Sequence, residues 1–321
     1  MLIIFTVFIT SCSGGAGSVK TYHNDEIDKE SLDSVKILDD KILESIKNNN
    51  ADNILEISSE SFEENSKNIK EIISSINQSV NVKSFDYKDR YYCKVNKVGK
   101  YSFAIGTLQD ESFNIKLNAV SKDIFVSLIK SNSNSIDYIL SLVYIKEQGE
   151  WKLMTLNCGE YSYYGMNAID LYEKAKSLDT KGYKVPAGFY IRLYGKLLHP
   201  VPILQYKKES EITDYSKRFI DSTKNDYTFP KKLENTDNVE LYGFDVKYVK
   251  DELIPVVKYT TNMELSNKEA IEKEANEINN EVTSQYPGMK ENFKLFLYEA
   301  YSEPPIDPKK TYNCYRTGVE Q

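Results

Sequence analysis

Cys158 and His199 are the two residues of this chain that a thiol nucleophile and its general base would require. Forty-one positions separate them, so only the fold could bring them together. Cys158 precedes Gly159, where a run of strand-like residues gives way to helical periodicity, a junction that can expose a thiol. Nothing near it in the sequence would lower its pKa and make the thiolate. His199 stands between Leu198 and Pro200, a setting typical of a cap or loop contact. Adjacent carboxylates occur at Asp25-Glu26 and Asp39-Asp40, where a solvated helical face or tail is the expectation. The other cysteines after residue 12 are Cys93 and Cys314, the other histidine is His23, and no CxxC spacing occurs. A structural zinc site needs four such ligands in close pairs, so no metal is expected. The sequence has no GxGxxG after a strand, no GxxxxGK[ST], no HExxH and no GxSxG, so no cofactor is expected either.

The N-terminus carries chemistry of another kind. Met1–Ile9 is apolar but for Thr6, far shorter than the ~20 residues that span a bilayer, and ends in Thr10-Ser11-Cys12. "ITSC" resembles the lipobox of bacterial lipoproteins, with Ile9 at the usual Leu position and no Lys or Arg before it. The resemblance implies a signal peptide over 1–12, lipid on Cys12, and membrane anchoring in the bacterial envelope. Ser13 after the cysteine resembles the outer-membrane-sorted, periplasm-facing class of diderm bacteria. Residues 13–30 then read as a flexible tether, opened by Ser13-Gly14-Gly15-Ala16-Gly17-Ser18. Three cysteines in an exported chain leave open one disulfide plus one thiol, or three reduced thiols.

Composition narrows the field. The 321 residues carry 41 basic and 48 acidic side chains, and no basic block interrupts them. That speaks against nucleic acid as a partner. The 40% hydrophobic content is ordinary for a globular protein.

Leu32, Val35, Leu38, Ile42 and Ile46 recur at helical spacing from a cap at Ser31, and further helices are expected near 52–63 and 67–76. Strand patterns follow. Phe113, Ile115, Leu117 and Ala119 alternate, 124–129 and 138–145 are apolar on both faces and read as central, and Gln148-Gly149 makes a hairpin. Helices, then strands ending in "YIKEQGEWKLMTL", resemble the nuclear transport factor 2-like fold over 31–162. That resemblance implies a curved antiparallel sheet packed on helices into a cone. It also implies a pocket, for which Tyr91, Tyr138, Asp86 and Asp89 are the polar candidates.

From 163 to 225 the chain reads as helical. Ala168, Leu171, Tyr172, Ala175 and Leu178 form one stripe; Ala187, Tyr190, Ile191, Tyr194 and Leu197 form another, stopped by Pro200. This pair resembles one tetratricopeptide hairpin, but a single copy reads as an ordinary packed helix pair. Residues 237–303 read as a small β-β-α-β unit with its helix capped at Ser266 or Asn267, and 304–321 as a tail.

The expected fold class is therefore α+β: a cone-like sheet on helices, a helical hairpin, then a small α+β unit. The expected function is non-catalytic binding or scaffolding by a lipid-anchored envelope protein. It would hold a protein partner or small apolar ligand near Tyr91, Tyr138, Cys158 or His199. An enzyme with its site in the cone, or an immunity-type lipoprotein that blocks a toxin with an acidic patch, are the alternatives.

Overall fold

The computed structural model describes residues 17–80, 84–99, 102–105, 113–132, 135–225, 227–234, 236, 239–249, 252–307 and 309–321. The signal-peptide expectation and Cys12 lie outside them. The fold is α+β and divides into two compact units, one built from residues up to 165 with 196–209, the other from 166–195 with 210–321.

The first unit runs β1 (Val19–His23), α1 (Lys29–Lys47), α2 (Asp52–Leu55), α3 (Glu60–Asn65), α4 (Ile69–Ser79) and β2 (Ser84–Val95). It continues with β3 (Ser102–Ile105), β4 (Phe113–Asn118), β5 (Asp123–Asn132), β6 (Ile136–Glu147), β7 (Glu150–Tyr163) and β8 (Leu204–Tyr206). An antiparallel sheet has the order β1-β2-β5-β6-β7, and β3-β4-β8 form a second. Gln148 and Gly149 both take positive φ in the two-residue loop that pairs Glu147 with Glu150, so β6 and β7 twist together as a tight hairpin requires.

The helices cover one face of the larger sheet. Val35, Ile42 and Ile46 of α1, with Ile54, Phe62 and Ile73, meet Tyr92, Phe125, Leu140, Leu142 and Leu153. Each such side chain contributes roughly 1.5–3 kcal/mol by leaving water. The opposite face is buried too: Tyr91, Cys93, Val126 and Leu128 are all closed to solvent. That double burial is why β5 and β6 read as apolar on both sides.

Two expectations are corrected here. The tether does not extend to residue 30, because Val19–His23 pair with Val95–Tyr91 as an edge strand. Asp28, not Ser31, caps α1: its carboxylate accepts the Ser31 N–H at 2.8 Å, and Ser31 is buried.

Gly159 of β7 lies so close to the segment leading into β8 that an added Cβ would stand 1.8 Å from the Pro200 carbonyl oxygen. Backbone cannot rotate away as a side chain can, so β7 or the bend at Pro200 must move. Gly159→Ala is expected to cost about 2 kcal/mol. Urea unfolding measures the loss, and hydrogen exchange at Leu204–Tyr206 shows whether β8 is the part that yields.

The second unit runs α5 (Ala168–Thr180), α6 (Lys184–Leu197), α7 (Glu209–Thr223), β9 (Lys231–Lys232), β10 (Glu240–Val249), β11 (Glu252–Thr260), α8 (Lys268–Gln285), α9 (Met289–Asn292), β12 (Leu295–Tyr301) and β13 (Cys314–Glu320). The predicted stripes of α5 and α6 are buried. β11 and β12 are parallel and are joined through α8, the crossover that a parallel pair demands. Asn267 caps α8 by accepting the Ala270 N–H at 3.3 Å. The β-β-α-β expectation gains two strands, because the short β9 pairs with the start of β10 and β13 pairs antiparallel with β12 along its whole length. Residues 314–320 are therefore sheet rather than tail.

Candidate functional site

Asp39 lies on the buried stripe of α1, four residues after Val35 and three before Ile42. That position turns its carboxylate into the sheet, where three hydroxyls meet it. Tyr144 of β6 donates to Oδ1 at 2.6 Å; Tyr87 of β2 and Ser127 of β5 donate to Oδ2 at 3.0 and 2.8 Å. The Arg90 guanidinium stacks over the Tyr87 ring at 4.6 Å and adds a nearby positive charge. Its Nε is buried and finds no hydrogen-bond partner among the described residues. Asp39 is fully buried. Burial pushes its carboxyl up to about 6, against the opposing pull of the Tyr144, Ser127 and Tyr87 hydrogen bonds and of Arg90. Burial and the adjacent carboxylate push the Tyr144 and Tyr87 hydroxyls well above the ordinary tyrosine range, so both stay protonated donors.

This is the chemistry that an enzyme in a cone would want: a desolvated acid among tyrosines. Its geometry is that of a closed clamp. A carboxylate offers about four lone-pair sites, three are taken, and no solvent reaches the group. The sequence carried a signal for it that the expectation of a solvated face overlooked: a lone Asp in phase with an apolar stripe is an interior residue.

The four residues singled out for a pocket part company. Tyr138 and Cys158 do meet, as diagonal neighbours on the helix-covered face of β6 and β7, beside Glu160, which accepts from Tyr163. Burial raises the Tyr138 hydroxyl, with Glu160 and Cys158 adding to it. Tyr91 is buried on the opposite face and packs against the His23 ring at 4.8 Å. His199 is two-thirds exposed, with Nε2 3.9 Å from Glu209.

Cys158 and His199 form no dyad. Successive strand residues point to opposite faces, and Gly159, next to Cys158, is the one that faces Pro200. Burial pushes the Cys158 thiol up to about 12, and it does the same to Cys93, whose sulfur lies 4.0 Å from the Thr21 hydroxyl. Cys93, Cys158 and Cys314 are unbridged. Asp89 pairs with His23 at 2.7 Å, and Asp86 is exposed and accepts from Asn132.

A second buried carboxylate organises the other unit. Glu299 of β12 accepts from Lys247 at 2.7 Å, from Arg316 through both Nε and Nη2, and from Tyr301 at 2.8 Å. Burial alone would raise it, but these donors hold it below the usual carboxylate range.

Among the described residues no three His, Cys, Asp or Glu side chains converge to hold a metal ion. No helix among them is long and apolar enough to cross a membrane. Comparison of the chain with protein-family models and with curated proteins finds no match to either.

Proposed function

We propose that this chain is a lipid-anchored protein of the bacterial envelope that acts by binding or scaffolding rather than by catalysis. The observation that carries the reading is the closure of Asp39. A catalytic acid must touch its substrate, and the buried acid of the helix–sheet core spends its lone pairs on Tyr144, Tyr87 and Ser127. The half-buried and buried thiols add support, because a thiol pushed up to about 12 is not a nucleophile at neutral pH. An antiparallel sheet with helices on one face and a long terminal hairpin supports a nuclear transport factor 2-like reading of the first unit. Anchoring rests on Ile9-Thr10-Ser11-Cys12, seven positions before the edge strand β1 begins.

Fatty-acid labelling in a bacterial host tests the anchor. The wild-type chain is expected to carry label and fractionate with membranes, and Cys12→Ser is expected to be unlabelled and released. Label retained by Cys12→Ser, or a soluble wild-type chain, would overturn the anchored reading. The enzyme reading has its own discriminator in Asp39→Asn, which removes the proton chemistry and keeps the shape.

A further inference from the structure

The net charge of the chain has an address. Residues 25–71 hold fourteen acidic and six basic side chains, a net charge of −8, so the rest of the chain sums to +1 against the overall −7. Apart from Asp39, those acids are exposed. Within this helical layer α2, α3 and α4 enclose an open groove. Leu55 and Ile69 give it apolar lining, and Glu63, Glu71, Lys67 and Lys70 surround them. Lys70 is engaged by Asp52 at 3.2 Å. Among the described residues Glu63 and Glu71 form no ion pair or hydrogen bond, and neither do Glu60 and Glu64 on the same short helix α3. Positions 52–71 carry six acids against two bases.

From this we infer that the groove is a docking site for a basic polypeptide segment with an apolar anchor. The anchor residue would seat on Leu55 and Ile69, and flanking Lys or Arg would approach Glu63 and Glu71. The inference rests on reading the chain as a binding module and gives that module a partner chemistry. Charge explains the choice of occupant. Unpaired carboxylates that must be desolvated or crowded by an acidic or neutral partner would oppose it, whereas a cationic one removes their mutual repulsion. The layer's field would also steer a cationic segment toward the groove before contact. The apolar lining then distinguishes a segment with one oily residue from a purely basic one, since burying that side chain adds binding that salt does not screen.

The test uses the full chain in detergent and a fluorescent twelve-residue peptide of lysines and glycines with one central leucine. Twins replace each lysine by glutamate, or the leucine by serine. Anisotropy is expected to report binding of the lysine peptide that weakens about tenfold from about 0.05 to about 0.3 M salt. The serine twin is expected to bind about fivefold more weakly, a modest loss for one oily side chain. Glu63→Lys with Glu71→Lys is expected to weaken binding about tenfold, as the loss of close charge partners does. Glu269→Lys with Glu277→Lys, exposed on α8, is the control and is expected to change it less than about twofold. Hydrogen exchange is expected to slow across residues 55–72 when the peptide binds. Equal binding of the glutamate twin, no binding of any peptide, equal effects of both charge reversals, or protection elsewhere would overturn the inference. Self-association that blocks the groove would overturn it in favour of a second copy as the occupant. None of these outcomes depends on lipid at Cys12, so failure here leaves the labelling experiment to judge the anchor separately.

Discussion

Asp39→Ala is expected to lower the unfolding free energy by about 3 kcal/mol at neutral pH, and Asp39→Asn by less than about 1 kcal/mol. Alanine removes the acceptor of three hydroxyls and leaves the Tyr144 and Ser127 groups buried with nothing to bond. Tyr87 is only half-buried and can turn toward water, so its share of the cost is smaller. Asparagine keeps an oxygen for Tyr144 and turns an amide toward the Ser127 and Tyr87 oxygens, which can accept as well as donate. It also removes a charge from a fully buried position.

The pH profile separates the two effects. Burial raises the folded-state carboxyl of Asp39 from 3.8 to about 6. Between those values the folded chain holds a proton that the unfolded chain has released. The stability this confers is complete below about pH 4, declines as pH rises through about 6, and is gone above it. About two pKa units at about 1.4 kcal/mol each make an excursion of about 3 kcal/mol. The groups that face the carboxylate are Arg90 and Tyr87 on β2, Ser127 on β5 and Tyr144 on β6, with Asp40 next along α1 acting on Tyr87. The Tyr87 and Tyr144 hydroxyls stay protonated across this range, and the difference between wild type and Asp39→Asn isolates the one group that the substitution removes. Urea midpoints measured from pH 4 to 8 should therefore converge as pH rises, because wild type loses about 3 kcal/mol as Asp39 ionises and Asp39→Asn, with no proton to release, does not. Parallel profiles would mean that Asp39 is not the titrating group.

How much of this was legible follows the range of the interaction that decides each feature. Helices and hairpins announce themselves locally. The α1 stripe, the Gln148-Gly149 loop, the two stripes around Gly182 and, to within one residue, the cap of α8 at Ser266 or Asn267 were all readable, because spacing and turn chemistry sit within a few residues. Sheet membership is decided by partners far away in sequence. Nothing in "VKTYH" says that Val95–Tyr91 will pair with it, and nothing in "CYRTGVE" says that β12 awaits an edge. Both segments are polar enough to read as loose, since an edge strand need bury little. Phe113–Asn118 shows its alternation plainly, yet its sheet is shared with Leu204–Tyr206, some ninety residues on. The candidate site failed for a different reason. Prior expectation sends a carboxylate to the surface, and Asp39 escapes it only because Tyr144 and Ser127, about a hundred residues away, supply its hydrogen bonds. In-phase placement between Val35 and Ile42 was the local hint. Cys158 and His199 are the reverse case: their chemistry draws the eye, but the sequence offered nothing to activate the thiol, and Gly159 rather than Cys158 is the residue that faces Pro200.

Glu299 is expected to give the second unit the opposite response to acid. Its carboxylate is buried among Lys247, Arg316 and Tyr301, and those donors keep it ionised below the usual range. A depressed carboxyl stabilises the fold above the unfolded-state value near 4.5 and loses that contribution as pH falls through its folded value. Acidification below about pH 4.5 should therefore weaken β12 and β13, whereas the Asp39 core gains stability as pH falls from about 6. Glu299→Ala is expected to cost about 3 kcal/mol at neutral pH, because two cations lose a buried counter-charge. The figure sits at the low end for a broken buried pair, since Lys247 and Arg316 are about half-exposed and can recover water. Glu299→Gln should cost less, keeping one oxygen for Tyr301 or Arg316 but no charge. The measurement is amide hydrogen exchange resolved along the chain. Leu295–Tyr301 and Cys314–Glu320 are expected to lose protection in the Glu299 variants, and Asp123–Asn132 to keep it. Equal loss in β5 and β12 would show instead that the two units open together. In that case the carboxylates would have to be treated as opposing contributions to a single transition, with the stability maximum lying where the rise owed to Glu299 meets the decline owed to Asp39.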